Sequence, residues 1–320
     1  MKKALISGVS GQDGAHLAKF LLDKGYEVYG TSRDAQFTRF DKLESLNITD
    51  EVIKMSMTLT DFRSVLSVLK EVMPDEIYNL AGQSSVSLSF EQPVETLESI
   101  SLGTLNLLEA VRFIESDTKI YNASSSECFG DTGNVAANED TAFRPRSPYA
   151  VAKAASFWQV ANYREAYSLQ ACSGILFNHE SHLRPRRFVT QKIIKQAVDI
   201  YKGREAKLSL GNIDIVRDWG WAPEYVEAMW LMLQQEKPED FVIATGESYS
   251  LKEFVNYTFK CLSLDWKQYV VCDDSFMRPT DIFVSKGDAS KASQVLGWKA
   301  ESNMYALIDK MLEYTLKMES

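Results

Sequence analysis

Short apolar runs and amphipathic stretches alternate through the first half of the chain. Residues 3–8 (KALISG) read as a buried strand, and 15–24 carries Leu17, Phe20 and Leu21 at helical spacing. The alternation continues with predicted strands at 26–30, 76–80, 119–123 and 171–177. Predicted helices fall between them at 62–71, 96–114 and 149–166. A βαβαβ rhythm of this kind predicts an α/β fold, a Rossmann-like doubly wound parallel sheet spanning residues 1–178. Beyond Asn178 the rhythm loosens. A basic loop, HLRPRR (182–187), precedes a predicted helix at 189–201, short strands, a helix near 224–235 and a terminal helix from Tyr305. Without repeats or a Pro/Gly-rich linker, residues 179–320 read as a smaller α+β substrate-binding lobe packed on the first domain, with some segments interleaved.

The 320 residues hold 35 Lys+Arg against 44 Asp+Glu, a net charge of −9. That balance disfavours a nucleic-acid polymer or membrane surface as partner, since both call for clustered positive charge. No apolar run reaches membrane-spanning length and the N-terminus lacks a secretory pattern, so a cytoplasmic enzyme is expected. Cys128, Cys172, Cys261 and Cys272 form no CxxC pair and read as reduced thiols. His16, His179 and His182 make no zinc set with them, so no metal is expected.

Candidate chemistry starts at the first strand-to-helix turn, Gly8-Val-Ser-Gly11-Gln-Asp-Gly14. Small residues there let the backbone approach a pyrophosphate, which the amides and dipole of the following helix would hold. The second strand runs into Ser32-Arg33-Asp34. The guanidinium of Arg33 suits a 2′-phosphate and points to NADP, while Asp34, able to pair with Arg33, leaves NAD open. Tyr149 and Lys153 stand at i, i+4 on one helix face, where the ammonium should lower the phenol pKa and make Tyr149 a base. Asn79-Leu-Ala-Gly82 and Ser124-Ser-Ser-Glu127 fall at carboxyl ends of predicted strands, where open α/β sheets bind ligands. Glu127 beside a Tyr-Lys pair supplies the second base that an elimination needs and simple hydride transfer does not.

These segments resemble the extended short-chain dehydrogenases/reductases, and more narrowly the GDP-mannose 4,6-dehydratases. The resemblance runs through GVSGQDG (8–14), DEIYNLAGQSSVSLSFE (75–91), RSPYAVAK (146–153), GILFNHES (174–181), RDWG (217–220) and LGWK (296–299). It implies a catalytic set of Ser125, Glu127, Tyr149 and Lys153. Tyr149 would deprotonate the C4 hydroxyl as hydride leaves for NADP⁺. Lys153 would hold the ribose, Ser125 would hydrogen-bond the C4 oxygen, and Glu127 would remove the C5 proton and assist loss of water from C6. Implied cofactor contacts are Gly8, Gly11, Gln12, Asp13, Gly14, Leu59, Ala81, Gly82, Tyr149, Lys153, His179 and Arg184, with His179 as a positioning residue near the nicotinamide. Implied contacts to the GDP-sugar are Ser84, Asn178, Val189, Lys192, Gly211, Asn212, Arg217 and Arg278. The resemblance also implies a homodimer through the helices at 96–114 and 149–166, with a tetramer possible.

The chain departs from that family at Thr58, at Ser85 and Trp221 (both usually His), and in SHLRPRR, where only Arg184 aligns with the family's arginine loop. Ser85 and Trp221 are expected to reshape the sugar pocket. They open a second reading, a dehydratase or 4-oxidoreductase of a related sugar such as GDP-manno-heptose; a non-catalytic NADP-binding protein is a third.

Overall fold

In this computed structural model, which describes residues 1–276 and 279–319, the first half carries strands β1 (Lys3–Ser7), β2 (Glu27–Ser32), β3 (Ile53–Ser56), β4 (Glu76–Asn79), β5 (Lys119–Ser125) and β6 (Ala171–Leu176). The second half adds β7 (Asn178–Glu180), β8 (Leu208–Leu210), β9 (Val216–Arg217), β10 (Trp219–Trp221), β11 (Phe241–Ile243), β12 (Tyr249–Ser250) and β13 (Val270–Cys272). Seven of these form one parallel sheet in the order β11-β6-β5-β4-β1-β2-β3. The strand order reverses direction between β1 and β4, the switch point at which such sheets open a crevice. The predicted doubly wound sheet is therefore present. It gains β3 and β11, which the hydrophobic pattern did not single out because each is only three or four residues long.

The helices before β6 are α1 (Gln12–Asp23), α2 (Asp41–Ser45), α3 (Phe62–Val72), α4 (Val86–Glu91), α5 (Pro93–Leu97), α6 (Gly103–Phe113) and α7 (Pro148–Tyr167). After it come α8 (Val189–Tyr201), α9 (Ala222–Gln234), α10 (Leu251–Cys261) and α11 (Met304–Met318). One face of the sheet is covered by α1 and α9, whose Leu17, Leu21, Met229 and Met232 bury against Val28, Tyr78 and Phe241. On the other face Val65, Leu69, Leu107, Val111 and Val160 of α3, α6 and α7 pack on Leu5, Ile77 and Ile120. A separate core gathers α8, α10 and α11 around Trp219 and Phe254, and forms the small lobe. Because α9 and β11 return to the large sheet, the second half of the chain belongs to both units.

The helix predicted at 96–114 is two α-helical pieces joined by a π-helical turn, Glu98–Leu102. Just past that turn Thr104 Oγ1 donates to the Ile100 carbonyl at 2.7 Å and accepts from Asn79 Nδ2 at 3.2 Å. Asn79 Nδ2 also donates to Asn122 Oδ1 (3.0 Å), and Ser7 Oγ donates to Asn79 Oδ1 (2.8 Å). These buried polar bonds fix the carboxyl ends of β1, β4 and β5 relative to one another.

The β1–α1 turn needs its glycines. Gly8 has φ +80° and stands against the Ala81 backbone, where a Cβ would lie 3.0 Å away. A Cβ on Gly14 would lie 2.7 Å from the Val9 Cα and closer still to the Gly8 carbonyl oxygen. Gly14→Ala should therefore force the turn open and lower stability by about 1–3 kcal/mol, the range for overpacking a tight site. A urea unfolding midpoint indistinguishable from wild type would contradict the described packing.

Candidate active site

A cleft of about 530 Å³ opens where the carboxyl ends of β4, β5 and β6 face the small lobe. Ser125, Glu127, Tyr149 and Lys153 line its sheet side; Asn178, Val189, Lys192, Gly211, Asn212 and Arg217 line the lobe side, and Ser84 enters from the loop after β4. The fold thus brings together residues distant in sequence that had been assigned to catalysis and to the sugar nucleotide. Arg278 lies outside the described residues.

The four catalytic candidates come from three consecutive elements of the fold: β5, the 3₁₀ turn that follows it, and α7. Ser125 ends β5, and its Oγ accepts from the Glu127 amide at 3.3 Å, starting the 3₁₀ turn Ser126–Phe129 that presents Glu127 half-buried in the cleft. Pro148 opens α7 under a Ser147 cap, with Oγ accepting from the Ala150 amide at 3.1 Å, and sets Tyr149 and Lys153 on the face toward β5. The Lys153 ammonium is 5.9 Å from the Tyr149 ring centre and donates to the Ala123 carbonyl at 2.7 Å.

The electrostatics correct one expectation. Burial, only partly offset by the hydrogen bond with Ser125, pushes the Tyr149 phenol above its ordinary value rather than toward neutrality. Lys153 spends its charge on a backbone carbonyl and is itself driven down to about 8 by burial. The i, i+4 spacing placed the pair correctly but carried no information about desolvation.

The cofactor candidates divide. Asp13, His179 and Arg184 line the cleft, together with Tyr149 and Lys153. Gly8, Gly11, Gln12 and Gly14 form the turn into α1, with Ala81 touching Gly8 and Gly82 held at φ +137°. No side chain caps α1, whose N-cap is Gly11, so the first helical turn is left without an acidic or hydroxyl competitor from that position for an anion. Leu59 packs against Gly103 of α6, its carbonyl accepting from Asn106 Nδ2 at 2.8 Å, and does not line the cleft. Arg33 is exposed and makes a 3.8 Å ion pair with Glu95; Asp34 does not pair with it but accepts from the amides of Gln36 and Phe37. Arg184 is turned onto its own chain, paired with Glu180 at 3.0 Å and stacked on Phe188 at 3.7 Å.

On the lobe side, Lys192 donates to the Ser209 carbonyl (2.7 Å) with its ammonium 3.9 Å from the Phe276 ring centre. Arg217 is buried and held by the Val216 carbonyl (2.9 Å) and by Asp281 (3.5 Å). Of the two departures expected to reshape the sugar pocket, Ser85 lines the cleft. Trp221 instead lies among His182, at 6.4 Å, and Lys310, at 5.2 Å, and is not a cleft residue. Sequence inspection missed Ser87, Arg186, Arg187, Phe276 and Asp281, all in the cleft wall, and Lys42, which donates to the Ser10 carbonyl in the glycine turn at 2.8 Å. Arg186 and Arg187 lie in SHLRPRR and Asp281 stands three residues after Arg278, so proximity to positions already singled out was the available signal for them. Cys128 and Cys172 are buried as expected of structural thiols, whereas Cys261 and Cys272 are exposed; all four are free.

The sequence model of the GDP-mannose 4,6 dehydratase family matches residues 5–311. The chain is 47% identical over 327 residues to GDP-mannose 4,6 dehydratase 1 of Arabidopsis thaliana, covering 99% of this chain and 90% of that protein. It is 43% identical to GDP-mannose 4,6-dehydratase of Vibrio cholerae, covering 99% and 94%. Among solved structures, it is similar to dTDP-glucose 4,6-dehydratase from Bacillus anthracis in complex with NAD, with TM-score 0.86, 19% identity and coverage of 100% and 98%. It is also similar to RMD from Pseudomonas aeruginosa complexed with NADPH, with TM-score 0.82, 21% identity and coverage of 99% and 100%. At those identities the two structures speak for the fold.

The Lys153 shift has a measurable consequence. With a folded-state pKa near 8, below the ordinary lysine value, the folded protein binds fewer protons than the unfolded chain from about pH 8 upward. Stability should therefore rise between pH 8 and pH 10, by roughly 2 kcal/mol from this group. Urea unfolding at the two pH values should show that rise in wild type and lose it in Lys153→Met; an equal rise in both would refute the assignment.

Proposed function

The chain belongs to the GDP-mannose 4,6-dehydratase family, and from that premise we propose that it converts GDP-mannose to GDP-4-keto-6-deoxymannose with NADP as resident cofactor. The observation that carries the proposal is the convergence of Glu127 with Tyr149, Lys153 and Ser125 on one cleft that also holds Lys192 and Arg217. Two cations on the lobe wall suit a diphosphate, and a carboxylate among the sheet-side groups suits elimination.

The uncapped N-terminus of α1 and the close-packed glycine turn fit a dinucleotide's pyrophosphate. Arg33, just past β2, and Lys42 of α2, which donates to the Ser10 carbonyl of the glycine turn, are the cations that favour a 2′-phosphate there. Bound in this way, a nicotinamide dinucleotide supplies reversible hydride acceptance. Ser125 donates to the C4 oxygen and Tyr149 takes the C4 hydroxyl proton. Lys153 would hold the nucleotide's ribose. With a ketone at C4, the C5 proton becomes acidic; Glu127 removes it and returns it to the departing C6 hydroxyl, which leaves as water. Reduction at C6 and reprotonation at C5 complete a cycle in which substrate loses one water and no net reducing equivalent accumulates.

Ser84, Ser85 and Ser87 make one wall of the cleft from small hydroxyl side chains. That wall favours a second substrate reading, GDP-manno-heptose, whose longer chain needs room beyond C6. Four free thiols and no membrane-length helix among the described residues support a cytoplasmic protein.

Leu97 and Leu102, at the α5–α6 junction, and Val151 and Trp158 of α7 are exposed apolar side chains. They support a homodimer through these helices. Arg184, which aligns with the family loop that reaches a neighbouring subunit's cofactor, is paired inward with Glu180, and this favours a dimer over a tetramer. Light scattering should give twice the chain mass, and Trp158→Asp should shift it toward the monomer; a monomeric wild type would end this part of the proposal.

Tyr149→Phe should abolish turnover of GDP-mannose, by at least about a thousandfold, as the loss of an acid–base group does. Glu127→Gln should still oxidise C4, seen as single-turnover NADPH absorbance, while mass spectrometry detects no loss of water. Full dehydration by Glu127→Gln would exclude Glu127 as the elimination base. GDP-mannose returned unchanged by wild type while GDP-manno-heptose is consumed would move the assignment to the second substrate.

A further inference from the structure

Asp13 is the second residue of α1, so a carboxylate stands at the end of the helix that suits an anion. Unneutralised, it would repel the same pyrophosphate that the helix attracts. The structure shows where its charge goes. Asp13 Oδ2 lies 3.0 Å from His179 Nε2, and Oδ1 accepts from Gln12 Nε2 at 3.0 Å. The other ring nitrogen, His179 Nδ1, lies 2.7 Å from the Phe177 carbonyl oxygen.

A carbonyl and an ionised carboxylate can only accept hydrogen bonds. A neutral imidazole has one N–H and would leave one of these short contacts as two facing lone pairs. Both are satisfied only when both ring nitrogens carry protons. The ring cannot easily turn away: it is buried and stacked on Tyr225 of α9, with centroids 4.6 Å apart and planes at 19°.

We propose that His179 is a positioning residue held as an imidazolium, whose charge cancels that of Asp13 and keeps the carboxylate turned from the phosphate-binding end of α1. The inference rests on the reading of the glycine turn as a dinucleotide site, and concerns how the chain makes that site tolerate its own carboxylate. The groups around the ring agree with it. Burial pushes His179 down, but Asp13 and the Phe177 carbonyl outweigh it and raise the net value, with Arg184 opposing. On Asp13, burial is outweighed by His179 and Gln12, holding the carboxyl below its ordinary range. The other facing titratable groups are His16 on α1, driven down to about 4 by burial, Glu180 on β7, raised by burial against Arg184, and Tyr225, raised by burial. His16 Nε2 meets Ser181 Oγ at 3.0 Å, and Ser181 Oγ donates to Gln12 Oε1 at 3.0 Å, so the same strand-to-helix clasp continues on neutral partners.

Two measurements test this. Nitrogen-15 spectra of the cofactor-free protein with labelled histidine, assigned through His179→Gln, should show both His179 nitrogens protonated at pH 7. One unprotonated nitrogen would overturn the proposal without reference to any variant's folding. Titration with NADP⁺ should show His179→Gln binding at least tenfold more weakly than wild type. Adding Asp13→Asn to it should recover most of the loss, because no carboxylate is left to neutralise. A double variant as weak as His179→Gln would overturn the charge-cancelling role, since a merely structural histidine predicts no rescue. A wild type that binds neither NADP⁺ nor NAD⁺ would instead overturn the dinucleotide reading, whichever protonation state the spectra give.

Discussion

The sharp turn from β1 into α1 is the constraint on which the rest of the molecule depends. Backbone there runs so close to itself, and to the strand-end loop after β4, that Gly8 and Gly14 admit no side chain. That closeness leaves the N-terminus of α1 without a side-chain cap at the mouth of the switch point between β1 and β4. Gln12 and Asp13, the first residues of that helix, then reach the strand that leads into the small lobe, through the His179 carbonyl and ring. One turn therefore sets both the proposed anion site and the relative placement of the two halves of the cleft.

On that frame the groups proposed to react need little further machinery. α7 packs on the sheet against β5 and β6, so Ser125 at the strand end and Glu127 just past it meet Tyr149 and Lys153 at a helix start. The buried bonds among Ser7, Asn79, Thr104 and Asn122 tie the neighbouring strand ends. Burial is what gives these groups their chemistry: it raises the phenol, depresses the lysine, and makes each sensitive to any charge that enters the cleft.

Much of this was legible in the chain. Elements with a full period of pattern, such as Val189–Tyr201 or α7, predicted at 149–166 and found at Pro148–Tyr167, stand where periodicity places them. So does the clustering of NLAG, SSSE and YxxxK at strand ends. What could not be read has physical reasons. Phe241–Ile243 is too short to declare itself a strand and joins the sheet only because α9 carries the chain back to it. The π-helical turn before Gly103 has no local signature; it is seen through the bonds of Thr104. Trp221 stands two positions after the cleft residue Trp219, on the face that strand alternation would share with it, yet the chain is already turning into α9 there and the ring packs by His182 and Lys310 of α11. The direction of the Tyr149 shift depends on desolvation, which exists only once the fold encloses the phenol.

The central claim is that Glu127 removes the C5 proton of a GDP-hexose in this cleft. The most direct test is turnover of GDP-mannose in heavy water, with the product read by mass spectrometry and proton NMR. A C5 proton lost to a carboxylate and replaced from solvent leaves one deuterium at C5 of a product lighter by one water. A dehydrated product with only protium at C5, or a 4-keto product that retains its C6 hydroxyl while NADPH accumulates, would contradict the account.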